Sequence, residues 1–261
     1  MSCPHHDFHI HTKHLKCADQ TMELSAIARE CERLGVTCCA ITDHLNTLDQ
    51  ADLHLLIRAD LAEVVTPVHI YFGVELNFTG CDQGFAYGRE IVDRYQFQFA
   101  IGGIHSAYVQ EYDLRKIVEI QHRHHLATCA DPLVQVLVHP YWFSKGEFER
   151  NKWPWFASPR VVPLTFIREL GQAARDTGTA IEINAGANLT NPANPPGYVD
   201  EYLDYMAALA AEGAAFSVGS DAHTLSRLAD IRAAWAFVER LRLPPEQIWQ
   251  PAMAPACGGN G

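Results

Sequence analysis

The sequence predicts an α/β protein whose parallel strands close, or nearly close, into a barrel. Three observations carry the prediction: β-like runs recur seven times, helical patterns lie between most of them, and no dinucleotide-binding glycine fingerprint marks an open sheet. Several runs are apolar on both faces, which suits strands covered by helices. With 261 residues, of which 48% are hydrophobic, the chain can bury the core of such a barrel.

The strands are predicted from short runs rich in β-branched, aromatic and small apolar residues. They span residues 7–11, 37–44, 68–77, 97–105, 134–142, 179–184 and 214–223. Helices are predicted where apolar residues recur at three- and four-residue spacing, as at Leu24, Ile27 and Cys31 before the stop signal Gly35. They span residues 21–34, 111–127, 163–177, 199–212 and 226–241.

Composition limits the function classes. The formal net charge is -11 without a long basic run, so a nucleic-acid duplex is not an expected partner. The chain has no run of about 18 apolar residues, so no membrane span is predicted. Its eight cysteines include no CxxC pair, which favours free thiols in the cytoplasm. We expect one domain over residues 1–261, with a loose tail from about residue 252. The oligomeric state stays open.

The first strand, within DFHIHT at residues 7–12, places two histidines two positions apart. Because strand side chains alternate between faces, His9 and His11 share one face, and Phe8 and Ile10 are predicted on the other. Such a pair is either a polar strand face that contains histidine or a pair of metal ligands.

Ligand-type side chains end nearly every predicted strand. Because the carboxyl ends of parallel barrel strands share one rim, we expect these side chains to converge. Burial of so many ionisable groups without a metal is costly. The sequence therefore predicts a polynuclear metal site formed by His9, His11, His44, Glu75, His105, His139, Asp221 and His223. Asp43 either orients a ligand from outside this site or is a structural carboxylate.

Three histidines on one predicted helix are given no role in the site. His122, His124 and His125 lie on a predicted helix with Arg123 between them, and we expect them on a solvated face.

An ordered series of motifs then carries a resemblance. DFHIHT, ITDH, GVELN, GGIHS, LVHPYW and GSDAH, from Asp7 to about His223, together resemble the PHP family, the polymerase and histidinol phosphatase domain. The resemblance implies a distorted (β/α)7 barrel similar to a TIM barrel. It also implies a trinuclear centre of divalent zinc, manganese or iron ions that hydrolyses phosphoesters.

The resemblance also implies how the ligands divide among three ions. The first ion would be bound by His9, His11, Glu75 and Asp221. Glu75 would bridge to a second ion bound by His105 and His139, and a third ion would take His44 and His223.

The third site departs from the pattern of the family. Many members have a further histidine six positions after the second histidine of the first motif, where this chain has Cys17. Three alternatives stay open: Cys17 is a thiolate ligand, it is a merely packed thiol, or His14 is the substitute. A thiolate would favour zinc or iron over manganese at this position.

The implied reaction is attack of a metal-bridging hydroxide on a small phosphomonoester, with histidinol phosphate as one candidate. Asp221 or His223 would protonate the leaving oxygen, unless a metal-bound water does so. The candidates for substrate binding are Lys13, Lys145, Arg160 and Asn184, because they follow strands or lie in loops that overhang the rim. For Lys145 and Arg160 the alternative is that residues 142–160 form an ordinary loop anchored by aromatic residues, with solvated charges.

Two alternatives to this function remain. The same centre could hydrolyse an amide or a lactone, since the activated water is common to these reactions. The chain could instead be a non-catalytic metal-binding module, although such a module would be expected to have lost several ligands.

Overall fold

The strands and helices of the chain alternate as the sequence predicts. The computed structural model describes residues 5–78, 84–85 and 87–251, so the predicted tail lies outside the described residues. The strands are β1 His6–Ile10, β2 Cys38–Ile41, β3 His44–Leu45, β4 His69–Asn77, β5 Phe99–Gly103, β6 Val136–Leu137, β7 Ala180–Asn184 and β8 Phe216–Gly219. The helices are α1 Leu24–Leu34, α2 Leu53–Glu63, α3 Arg89–Tyr95, α4 Leu114–Ala130, α5 Lys145–Arg150, α6 Leu164–Thr177, α7 Tyr198–Ala211 and α8 Ile231–Leu241.

These strands form one parallel sheet in the order β1-β2-β4-β5-β6-β7-β8, and the short β3 pairs with β4. The two ends of this sheet meet, because the N–H of Asp221 donates to the carbonyl of His9 at 2.8 Å, and that of His11 to the carbonyl of Ala222 at 3.2 Å. The result is a nearly closed barrel of seven parallel strands with helices outside it. The predicted fold class is confirmed, while one domain over residues 1–261 stays a prediction.

Three helices were missed by the sequence analysis, α2, α3 and the short α5, and the second predicted strand is divided into β2 and β3. The apolar stripe of α2 is weak: it buries His54 and Ile57 but exposes Leu55 and Leu56, so a search for helical periodicity finds little. No helix in the described ranges is both long and apolar enough to cross a membrane.

The first strand contains a β-bulge. Asp7 pairs with Cys39 but Ile10 pairs with Ile41, so one extra residue is inserted in β1. Consequently Phe8 packs in a different apolar cluster from Ile10, and the prediction that these two side chains share a strand face is wrong.

The amino-terminal half of the barrel interior is an apolar floor, the cluster of Phe8, Ala40, Tyr71, Phe99, Ile101, Val136, Val138 and Ala180. Its aromatic rings meet edge to face, with centroids 5.9 Å apart for Phe8 and Tyr71 and 6.1 Å apart for Phe8 and Phe99. Trp249 closes the floor, since its backbone N–H donates to the carbonyl of Phe216 at 2.8 Å and the centroid of its ring lies 5.8 Å from that of Phe8.

Candidate metal centre

Glu75, a buried residue of β4, is the hub of the polar half of the barrel. Imidazoles from four other parts of the chain surround both of its carboxylate oxygens. The nitrogen–oxygen distances to Oε2 are 2.9 Å from His44, 3.2 Å from His9 and 3.4 Å from His11; those to Oε1 are 3.0 Å from His105 and 3.1 Å from His139.

Asp221 and His223 complete this ligand cluster from the segment after β8. Asp221 Oδ1 lies 3.3 Å from Nε2 of His11, 3.5 Å from Nε2 of His9 and 3.6 Å from Nδ1 of His223. Asp221 adopts a left-handed backbone conformation with φ 56, which turns the chain sharply at the rim. Gly186 fits against this turn, since a Cβ there would lie 2.9 Å from the carbonyl oxygen of Ser220.

The chemistry of these groups fits bound cations. Nε2 of His9 lies 3.1 Å from Nε2 of His11, and the buried His105 Nδ1 finds no hydrogen-bond partner among the described residues. Glu75 Oε2 and His44 Nδ1 are 2.9 Å apart but do not have the geometry of a hydrogen bond. Buried polar atoms without partners are costly, whereas imidazole nitrogens and carboxylate oxygens are the ligands that zinc, manganese and iron accept.

Three sets of ligand atoms lie mutually within 4.8 Å. They are His9, His11 and Asp221; His44, Glu75 and His105; and His11, Cys17, His44 and His223. The chain therefore gathers at one rim the side chains predicted as ligands from distant parts of the sequence. Their division among individual ions stays a prediction.

Cys17 and His14, the alternatives for the third site, are separated by the fold. The Cys17 thiol belongs to one of the three sets, whereas Nε2 of His14 lies 2.7 Å from Asp60. Burial of the sulfur and the charges of Asp43 and Glu75 raise the pKa of Cys17 to about 12, so only a cation nearby would make it a thiolate at neutral pH.

Carboxylates hold protons on two imidazoles of the cluster. Burial alone lowers the pKa of His9, but Glu182, Glu75 and Asp221 outweigh it and hold this pKa well above its ordinary value. Burial likewise opposes protonation of His11, whose hydrogen bond with Asp221 helps to raise its pKa to about 9. A metal ion that binds here must therefore displace protons.

Two other imidazoles of the cluster, those of His105 and His223, are instead uncharged at neutral pH. Burial lowers the pKa of His105 and that of His223 to about 4. Burial raises the pKa of Glu75, but the imidazoles of His44, His9 and His105 overcome this and hold it well below its ordinary value. Glu75 is thus an anion, and His105 and His223 are neutral, which is the state of a metal ligand.

Glu182, which the sequence analysis missed, supports the cluster from outside it. This buried residue of β7 accepts a hydrogen bond from Nδ1 of His9 at 2.7 Å and another from the N–H of His139 at 2.7 Å. The first bond fixes the His9 ring so that Nε2 faces Glu75. The available signal was the two-residue spacing of Glu182 and Asn184, which puts both side chains on one strand face.

Asp43 has a similar outer position. It accepts hydrogen bonds from Thr12, at 2.7 Å from the backbone nitrogen and 2.6 Å from Oγ1, and lies 3.7 Å from Nδ1 of His11. Of the two readings of Asp43, this geometry favours the one that orients a ligand.

The four residues predicted to bind substrate are placed differently from one another. Asn184 is buried beside the cluster, with Nδ2 at 3.3 Å from Asp221 Oδ2. Elsewhere, Lys13 pairs with Glu23 at 3.0 Å, Lys145 lies 4.8 Å from the ring centroid of Trp155, and Arg160 pairs with Glu201 and Asp204 at 3.1 and 2.9 Å. Their role in substrate binding stays a prediction.

The histidines of α4 are buried, so the prediction of a solvated face is wrong for His122, His124 and His125. His125 Nε2 accepts the backbone N–H of Tyr141 at 3.0 Å, and His122 Nδ1 lies 2.9 Å from the Tyr141 hydroxyl. These bonds hold the loop that follows His139, in which Tyr141 has φ 54.

A cavity of about 250 Å³ opens beside the cluster. Its lining residues are Trp142, Gly186, Ala187, Asn191, Asp221, His223 and Arg227. A larger groove of about 430 Å³ is lined by residues of α4 and by residues 161–166, and none of its lining residues belongs to the ligand cluster. The smaller cavity is therefore the candidate substrate site. Arg227 was missed because a single arginine after the last motif carries no pattern.

Comparisons with known proteins agree with this geometry. Residues 7–186 match the model of the PHP domain family. The chain is 25% identical over 244 residues to the Escherichia coli O81 protein named "Probable phosphatase YcdX", and 24% identical to its counterpart in strain K12; both matches cover 93% of this chain and 88% of the relative. A solved Listeria monocytogenes structure, provisionally named histidinol phosphatase, has a TM-score of 0.58 at 11% identity and covers 85% of this chain and 97% of that chain. At this identity the structural match shows the fold alone.

Proposed function

Since this chain belongs to the PHP domain family, we propose that it is a metal-dependent phosphatase that hydrolyses a small phosphomonoester through a metal-bridging hydroxide. One observation carries the proposal: ligand-type side chains from distant strands converge on Glu75 beside a cavity. The names of the Escherichia coli relatives support the same class of reaction.

The cluster can hold three divalent ions of zinc, manganese or iron. His9, His11, Glu75 and Asp221 would bind the first, with Glu75 shared. His105 and His139 would bind the second, and His44, His223 and Cys17 the third. When bound, such ions supply a water of lowered pKa and positive charge for the phosphate oxygens.

The protein supplies orientation and proton control. Glu182 holds the rings of His9 and the backbone of His139 in place, and the buried Glu75 keeps its negative charge. Asp221 and His223 line the cavity, so both can face a leaving oxygen. The neutral state of His223 at pH 7 favours its role as a ligand over a role as an acid. Burial raises the pKa of Asp221, but the imidazoles of His9 and His11 overcome this and hold it below its ordinary value, so Asp221 is an anion and a water is left as the proton donor.

Phosphate release tests the proposal. Protein stripped with a chelator is reloaded with zinc, manganese or iron(II) and incubated with a panel of phosphomonoesters that includes histidinol phosphate. We expect metal-dependent release of inorganic phosphate, and none from His9→Ala. Amide and lactone substrates are tested in parallel, and their hydrolysis without phosphate release by any metal form would contradict the proposal.

Cobalt substitution tests the third site. A thiolate ligand gives cobalt(II) a sulfur-to-metal charge-transfer band, so we expect this band in the wild-type protein and its loss in Cys17→Ser. A His14→Gln variant is the matched control and should retain the band. A spectrum unchanged by Cys17→Ser would show that this thiol is merely packed.

The cysteines of the chain bear on its cellular location. The described cysteines, which include Cys17 and four others, are free thiols. Free thiols fit a reducing compartment, and we propose the cytoplasm.

A further inference from the structure

The cavity beside the cluster has one permanently charged cation among its seven lining residues, Arg227. The geometry points to a second anionic group on the substrate, which Arg227 binds. This group is a carboxylate or a phosphate remote from the scissile ester, and the inference rests on the proposed phosphatase activity. This assignment makes Arg227 a specificity-determining residue.

The guanidinium of Arg227 is held in place by its neighbours. Its Nε lies 2.8 Å from Asp230 Oδ2, and its Nη2 donates to the hydroxyl of Thr190 at 3.0 Å. The Thr190 hydroxyl itself lies 3.1 Å from Asp230, so the three side chains fix one another. A pre-organised arginine loses little conformational entropy when it binds a ligand.

Arg227 retains donors for a ligand. A guanidinium has five N–H donors in a planar fork, and the two contacts just described leave others. The side chain is 42% exposed, so those donors are within reach of a molecule in the cavity. The planar fork matches the oxygens of a carboxylate or a phosphate, which it can bind through two parallel hydrogen bonds.

Arg227 is not a metal ligand, and this distinguishes it from the cavity residues that would act on the scissile phosphate. Asp221 and His223 form the cluster side of the cavity, where bound cations would attract the phosphate that is cleaved. Arg227 lines the same cavity without belonging to the ligand cluster, so it is suited to the rest of the substrate. The cavity volume of about 250 Å³ suits a phosphate ester with a short carbon chain.

The charge of Arg227 also disfavours one class of substrate. A phosphomonoester with a terminal ammonium group would place like charges together, whereas a terminal anion would pair with the guanidinium. Asp230 offsets part of this charge, but it contacts Arg227 at Nε, away from the Nη1 end of the fork.

A set of three-carbon esters tests the inference in the metal-loaded enzyme. The substrates are 3-hydroxypropyl phosphate, its analogues with a terminal carboxylate or a terminal ammonium, and propane-1,3-diol bisphosphate. We expect kcat/KM to be higher for the anionic termini than for the hydroxyl, and lowest for the ammonium. The carboxylate and bisphosphate arms show which anion the site prefers.

The Arg227→Met variant tests the residue itself. Charge-assisted hydrogen bonds of this kind predict that the ratio of kcat/KM for the preferred anionic ester to that for 3-hydroxypropyl phosphate falls about 10- to 100-fold. The same ratio for Arg227→Lys should lie between those of the wild type and Arg227→Met, because lysine keeps the charge but not the planar fork of donors. Arg240→Met, which removes another arginine paired with an aspartate, is the matched control and should keep the wild-type ratio.

Binding provides a readout that does not depend on turnover. Calorimetry should show that propane-1,3-diphosphonate binds the metal-loaded protein more tightly than propylphosphonate, and that Arg227→Met removes this difference. Two outcomes would overturn the assignment while the phosphatase function stands. One is an equal loss of kcat/KM for all substrates in Arg227→Met, and the other is a wild-type kcat/KM that does not depend on the terminal group. No phosphate release from any of the esters would count against the proposed function and the inference together.

Discussion

The two halves of the barrel interior differ in what holds them together. The apolar floor is a set of aromatic and aliphatic side chains in contact, and it needs nothing from solution. The ligand cluster above it buries carboxylates and imidazoles, several with polar atoms that find no partner in the described chain. The floor therefore contributes stability by itself, whereas the cluster contributes stability only when cations complete it.

The largest effect is expected from Glu75→Gln in the ligand cluster. Glu75 contacts five imidazoles, and its charge holds the cluster together. We expect kcat/KM to fall about 1000-fold or more, since bound metals supply several kcal/mol of transition-state stabilisation. Metal analysis should show lost ions, while Glu119→Gln on the exposed surface of α4 should keep both metal and activity. Full metal content in Glu75→Gln would contradict its role as the hub.

Phe99→Ala is expected to destabilise the apolar floor, the other half of the barrel interior. Phe99 lies in the apolar floor, 5.5 Å from the ring of Trp249, so its truncation leaves a cavity. We expect a loss of about 3–5 kcal/mol in the free energy of unfolding, measured with urea. The metal content per folded molecule should not change. A loss of metal with little loss of stability would mean that the two halves do not act independently.

Glu182→Gln sharpens the comparison at the border of the two halves. The variant keeps the shape of the side chain but removes the charge that orients His9. We expect a 10- to 100-fold loss of metal affinity, roughly that of other outer partners of metal ligands, measured by competition with a chromogenic chelator. Glu201→Gln, at a half-buried carboxylate of α7 that pairs with Arg160 and not with a residue of the ligand cluster, is the control. An unchanged affinity would assign Glu182 to folding alone.

The smallest effect is the pH dependence of folding that comes from His125. Burial, followed by the nearby imidazoles, holds the pKa of His125 well below its ordinary value of 6.5. The unfolded chain therefore binds a proton that the folded chain does not, so this contribution is complete above pH 6.5 and is lost as the pH falls. Each pH unit below that point costs about 1.4 kcal/mol for one such group. Urea titrations of His125→Gln, which can still accept the N–H of Tyr141, should show a shallower decline; an equal decline would contradict the assignment.

The rim of ligands was predictable because it depends on local features. His9, Glu75 and Asp221 each stand at the end of a recognisable strand, and parallel topology then brings strand ends together whatever the details of packing. The ordered motifs added the family, which the family model confirms.

What the sequence did not reveal depends on tertiary packing. Glu182 is a single carboxylate in a buried strand, and only the folded chain shows that it faces His9 and His139. The polar appearance of the helix segment around Arg123 hides histidines that α4 buries against the barrel. The bulge in β1 breaks the two-residue alternation on which the prediction for Phe8 depended.

The seam where the two ends of the sheet meet has a consequence for synthesis of the protein. His9 and His11 leave the ribosome early, but their partners across the seam, Asp221 and Ala222, are translated more than two hundred residues later. A nascent chain that ends before Asp221 lacks one of the carboxylates that face His9 and His11. The ligand cluster is therefore complete only after the segment that follows β8 has been translated, and we expect chains truncated before Asp221 to bind metal weakly.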